Sequence, residues 1–187
     1  MNDFDFAFSL FGLILGLALA EALAGLVRAI DTRAALRIGW LTPLMSLIVA
    51  LDIISFWSLI WTVRASVQVS YLTLTIGGLL AGTYYVAAAL SFPRDPGSWS
   101  DLDDFFLERR RAVFGTVAAV NTVFTLLAVS LGWWAPSWLG IGMLVAYVQF
   151  ALMVAAILAP RRLVRAVMVG LATVYLLGPL LIFIVRR

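Results

Sequence analysis

The chain has 187 residues, of which 64% are hydrophobic and 12% charged, with a mean hydropathy of +1.06; a soluble domain is roughly half apolar and a quarter charged, so this chain belongs to the membrane class. It has no cysteine and no histidine, and its 13 basic residues are all arginine. That composition excludes disulfides and Cys-ligated metals, removes the commonest metal ligand and general base, and denies a lysine to any Schiff-base cofactor.

Six apolar segments reach the length needed to cross a ~30 Å hydrocarbon core. They run over approximately 6–30, 38–63, 69–92, 112–134, 137–159 and 163–185. The expected fold is therefore all-α: a polytopic bundle of six transmembrane helices forming a single integral membrane domain over 1–187. In helix 1, Ala18-Leu19-Ala20 and Ala22-Leu23-Ala24 resemble signal-peptide cleavage sites. The acidic start, Met1-Asn2-Asp3-Phe4-Asp5, lacks the basic region such a peptide carries, so helix 1 reads as a retained span. The same helix holds Gly12 and Gly16, continued by Ala20 and Ala24, a small-residue ridge suited to helix packing or to an oligomer interface. Helix 3 repeats the device with Gly78 and Gly82.

Between helices 3 and 4, residues 93–111 form the longest polar stretch. Pro93, Pro96 and Gly97 end helix 3, and Ser100 is placed to cap a new helix with Asp101, Asp103 and Asp104 in its first turn. Phe105, Phe106 and Leu107 give that segment an apolar face, and Arg109, Arg110 and Arg111 mark the membrane surface. A short interfacial helix running into helix 4 is expected over 101–111. Asp103, Asp104 and the three arginines are its expected surface for a protein partner or for anionic lipid.

Arginines set the orientation. Arg28, Arg33, Arg37, Arg94, Arg109, Arg110, Arg111, Arg161, Arg162 and Arg165 follow helices 1, 3 and 5, whereas Arg64, Arg186 and Arg187 lie on the other side. The positive-inside rule places the larger set in the cytoplasm and both termini outside. Trp57, Trp61, Trp133, Trp134 and Trp138 then form an outer aromatic belt, and Trp40 and Trp99 mark the inner boundary. The same arginines explain an isoelectric point near 9.8 without a nucleic-acid partner.

Glu21 and Asp52 are the sharpest functional pointers. Each stands in the middle of an apolar run, where a charge costs several kcal/mol, so a group kept there needs a partner, a proton or a function. Counting ~1.5 Å per residue, Glu21 lies roughly 10 Å and Asp52 roughly 18 Å from the inner boundary, as successive stations on a path if helices 1 and 2 face each other there. Ser55 sits one turn from Asp52 on the same face. Desolvation favours the neutral form of a carboxyl group, which suits a proton relay; packing against a neighbouring helix is the plainer use of such a group. Arg28 reads first as a residue snorkelling to the surface, since pairing with Glu21 two turns away requires both side chains extended.

The two halves carry a weak internal repeat. Thr83-Tyr84-Tyr85 matches Thr173-Val174-Tyr175, Asp52 falls opposite Gln149, and Glu21 falls opposite Asn121. With three helices per half, the copies have inverted topology, as in many transporters. Asn121 and Gln149 are therefore added to the candidate ion-binding residues. Catalysis is not expected: a serine protease lacks its base, paired aspartyl chemistry lacks the depth match, and no phosphate-cradling loop is present.

The run from Phe8-Ser9-Leu10 through Gly16-Leu17-Ala18-Leu19-Ala20-Glu21-Ala22-Leu23-Ala24-Gly25-Leu26-Val27-Arg28, with Phe56-Trp57, Phe92-Pro93, Asp101-Leu102-Asp103-Asp104-Phe105-Phe106 and Arg109-Arg110-Arg111, resembles a group of small bacterial six-helix inner-membrane proteins with no assigned activity. The resemblance covers about the first two-thirds of the chain. It implies a bacterial inner-membrane location and six helices, and supplies no activity. The expected function is passage of protons, cations or a small solute, as channel or carrier and as a homo-oligomer, with no cofactor, metal or nucleic acid. The alternative is a scaffold, sensor or subunit acting through 93–111.

Overall fold

A computed structural model describes residues 3–32, 39–99, 101–133 and 140–185. Ser100, Arg33, Arg37, Trp134, Trp138, Arg186 and Arg187, to which the sequence assigned capping, orienting or belt roles, lie outside the described residues. Within them the regular structure is helical: α1 Asp3–Thr32, α2 Leu41–Thr62, α3 Tyr71–Leu90, α4 Leu102–Ser130, α5 Ile141–Leu158 and α6 Arg161–Val185, with one 3-10 turn at Pro96–Ser98. All six α-helices are long and apolar enough to cross a membrane, as expected for a multi-pass membrane protein.

Local chemistry explains the helix ends. Ser70 caps α3 by accepting from the Thr73 amide. Asp95 caps the 3-10 turn, with Pro96 supplying a pre-set φ at its first position. Gly132 stops α4 two residues past its last residue, Ser130; its φ of +67° permits the Trp133→Ala128 and Gly132→Val129 backbone bonds of a Schellman turn. α2 is capped from outside: its Leu41 amide donates to Asp103 Oδ1 at 3.1 Å. The Thr42 hydroxyl donates to the Leu102 carbonyl.

The expected interfacial helix is not separate. Leu102–Ser130 is one continuous α-helix, begun by Asp101, which accepts from the Asp103 amide at 2.8 Å. Its arginines do not all lie on the surface. Arg110 is 8% exposed, and its Nη1 donates to the Ala156 carbonyl in the last turn of α5 at 3.2 Å, where a cation meets the negative helix end. Asp103 is likewise engaged inside the molecule, with Arg165 Nη2 at 3.6 Å, and Asp104 pairs with Arg161 at 3.5 Å. These contacts tie the starts of α2, α4 and α6 together at the arginine-rich end.

The main core cluster draws on all six α-helices, including Leu15, Ile53, Tyr84, Phe114, Met153 and Leu171, and a small second cluster joins Ala29, Phe92 and Leu102. α1 packs on α2 and α3, α4 on α2, α3 and α5, and α6 on α2 and α5. In α1 the buried line is Ala7, Phe11, Leu15, Ala18, Ala22 and Ala29, the spacing of a helix seam. The predicted glycine ridge lies on its flank. A Cβ on Gly12 would stand 2.9 Å from the Trp57 ring, but Gly16, Gly78 and Gly82 have open space beside them. Closer approaches occur elsewhere: at Gly39, whose Cβ would strike the Asp103 carboxylate, at Gly77, whose Cβ would strike the Phe11 ring, and at Gly178, whose Cβ would lie 2.7 Å from Val145; Gly25 matches Gly12, with a Cβ 2.9 Å from Phe92.

Candidate functional site

Asp52 is 2% exposed and gathers three donors from three other helices. Its Oδ2 accepts from the Tyr84 hydroxyl of α3 at 2.6 Å and from Asn121 Nδ2 of α4 at 3.0 Å. Its Oδ1 accepts from the Tyr175 hydroxyl of α6. Asn121 Nδ2 also reaches the Tyr84 hydroxyl at 3.3 Å and its own helix at the Val117 carbonyl, 3.1 Å away. Each hydrogen bond to a charged group contributes about 1.5–3 kcal/mol, and three of them offset the several kcal/mol that an acid costs in hydrocarbon. A phenolic hydroxyl donates or accepts. The cluster therefore satisfies the group in either protonation state, as a carboxylate taking three bonds or as an acid giving its proton to a tyrosine oxygen.

Asp52 also borders a cleft of about 380 Å³ between α2, α4, α5 and α6, whose wall is mostly apolar, with Leu59, Leu126 and Phe150 among its residues, and whose polar members include Ser55, Asn121, Thr125, Gln149 and Tyr175. Gln149 of α5 sits beside the Tyr175 hydroxyl. Away from the cavity, Phe56 packs on Tyr84 at 4.9 Å between ring centres and on Phe124 at 5.1 Å. The polar members thus face the cavity, while rings cover Tyr84 behind them.

Four of the five residues singled out for ion or solute binding, Asp52, Ser55, Asn121 and Gln149, line this one cavity. Glu21 does not join them. Its Oε1 is 3.0 Å from Arg28 Nη2, with both side chains about a third exposed, and the Arg28 guanidinium lies 5.6 Å from the Phe92 ring. Glu21 and Asp52 thus belong to different surroundings, Glu21 paired with Arg28 along α1 and Asp52 at the cavity. Tyr84 and Tyr175 were noticed only as repeat markers. Their hydroxyls, which need partners inside a membrane, were the available signal for a role with Asp52. Among the described residues no cluster of metal-ligating side chains forms.

Comparison with family models, curated proteins and solved structures finds no match for this chain.

Proposed function

We propose that this protein is a small multi-pass membrane transport protein, channel or carrier, that takes protons, cations or a small hydrogen-bonding solute at the cavity beside Asp52. The observation that carries the reading is the convergence of Asp52, Ser55, Asn121, Gln149 and Tyr175 on one intramembrane cavity. Polar groups at membrane depth mark ion and substrate pathways when they border a cavity rather than only a helix contact. Asp52 supplies the charge, the tyrosines and Asn121 hold it in place, and Ser55 and Gln149 offer further ligand atoms. The competing scaffold reading loses support because Asp103 and Asp104 of its working surface are engaged with α2 and α6.

The finer expectations stand as parts of this proposal. A bacterial inner-membrane location rests on the sequence resemblance, and a cytoplasmic arginine-rich end on the positive-inside rule. The inverted repeat draws support from Asp52 and Gln149 lining one cavity. It loses support from Tyr85 and Tyr175, paired by the offset yet 45% and 7% exposed. A homo-oligomer draws support from the open space beside Gly16, Gly78 and Gly82.

Purified protein in liposomes tests the function. Proton or monovalent-cation flux above that of empty liposomes, abolished by Asp52→Asn and reduced by Gln149→Leu, is the expected result. A wild-type protein that is folded yet passes neither ions nor small uncharged solutes, with flux equal to empty liposomes, refutes it.

A further inference from the structure

At the arginine-rich end a groove of about 530 Å³ opens between the end of α3, the 91–99 loop and the first turns of α4. We propose that it binds one anionic phospholipid, with the lipid phosphate on Arg94 and Arg109 and an acyl chain along Tyr85 and Val86. The proposal gives a particular site to the expectation of anionic lipid at this end, and it is independent of transport at Asp52.

The groove has two chemical halves. Arg94 and Arg109 line one half, and guanidinium forks match phosphate oxygens. Asp95 lines it too, but its Oδ1 accepts from the Gly97 amide at 3.2 Å as the cap of the 3-10 turn. One net positive charge remains, which complements a monoanionic headgroup. The nearest acid to Arg109 is Glu108, 3.9 Å from its Nε, too far for a hydrogen bond. In the other half, Tyr85 and Val86 are 45% and 50% exposed on α3, an apolar surface that faces acyl chains in a bilayer. Trp99 joins the halves, held edge-on against Phe105 at 5.2 Å, as tryptophans are at membrane boundaries. A free phosphate would leave the apolar half unused, whereas a phospholipid fills both.

Native mass spectrometry of the full-length protein in detergent, titrated with phosphatidylglycerol or with phosphatidylcholine of the same acyl chains, tests the site. The first phosphatidylglycerol is expected to be held roughly tenfold more tightly than phosphatidylcholine. The double variant Arg94→Gln/Arg109→Gln should lose that preference with unchanged helix content, and Arg162→Gln, exposed at the same end, should keep it. Val86→Trp, which fills the apolar half, should weaken the first lipid of either kind. Equal retention of the two lipids by the wild type overturns both the groove and the broader expectation of anionic lipid. Loss of preference to the same degree in Arg162→Gln and the double variant leaves diffuse attraction and overturns the groove alone. Unchanged affinity in Val86→Trp overturns the acyl placement.

Discussion

The two tyrosines that hold Asp52 have different surroundings. Tyr84 is fully buried, whereas Tyr175 is 7% exposed and borders the cavity. Tyr84→Phe should therefore cost about 1–3 kcal/mol, the range for a buried hydrogen bond lost without replacement. Tyr175→Phe should cost less, because water entering the cavity beside Asp52, Ser55 and Gln149 can take the freed Oδ1 lone pair. Thermal unfolding of the two variants in detergent measures the order, and the reverse order would argue for a dry cavity. Sequence reasoning found Asp52 because acids are rare at membrane depth, and Asn121 through its place in the internal repeat. It overlooked Tyr84 and Tyr175 because an aromatic ring in an apolar run looks like packing material. It could not place Glu21 relative to that cavity, because the spacing to Arg28 left both snorkelling and the observed pairing open.

Helix contacts turn on a few small residues and one borrowed cap. A Cβ on Gly25 would stand 2.9 Å from the Phe92 Cβ, near the backbone and hard to displace, so Gly25→Ala should destabilise by about 1–3 kcal/mol. Gly78→Ala meets open space and should stabilise by up to about 1 kcal/mol through helix propensity. Should Gly78→Ala instead lower the oligomer mass by light scattering, this face of α3 joins copies of the chain. Asp103→Ala removes the external cap of α2 and should cost about 1–2 kcal/mol. Arg165, 66% exposed in its side chain, is an ion-pair partner of Asp103; Arg165→Gln leaves the α2 cap in place and should cost under about 1 kcal/mol. Both are read from unfolding midpoints. Helix number and type were legible from apolar length alone. The helix expected over 101–111 and the span expected from 112 are one helix, Leu102–Ser130, since Arg109, Arg110 and Arg111 mark no break. The actual start is set by the Asp101 cap, and Arg110 is drawn inward by the end of α5.

As a whole, the molecule is a six-helix bundle whose starts of α2, α4 and α6 meet at one end through Asp103, Asp104, Arg161 and Arg165. Because the chain has no cysteine, single cysteines report sidedness directly. In intact cells, Arg64→Cys should react with a membrane-impermeant maleimide and Arg162→Cys should not, as a cytoplasmic arginine-rich end requires; the opposite pattern inverts the topology. Membrane class was plain from composition, while the cavity beside Asp52 was not, since it depends on how α2, α4, α5 and α6 are rotated against one another. The most direct test of that cavity compares Ser55→Cys, which borders it, with Ile54→Cys, 49% exposed on the same helix outside it. Thiol reagents are attacked by the thiolate, which forms only where water reaches. A hydrated cavity beside Asp52 predicts labelling of Ser55→Cys about tenfold faster than Ile54→Cys by a small charged reagent; two equally inert cysteines would contradict it.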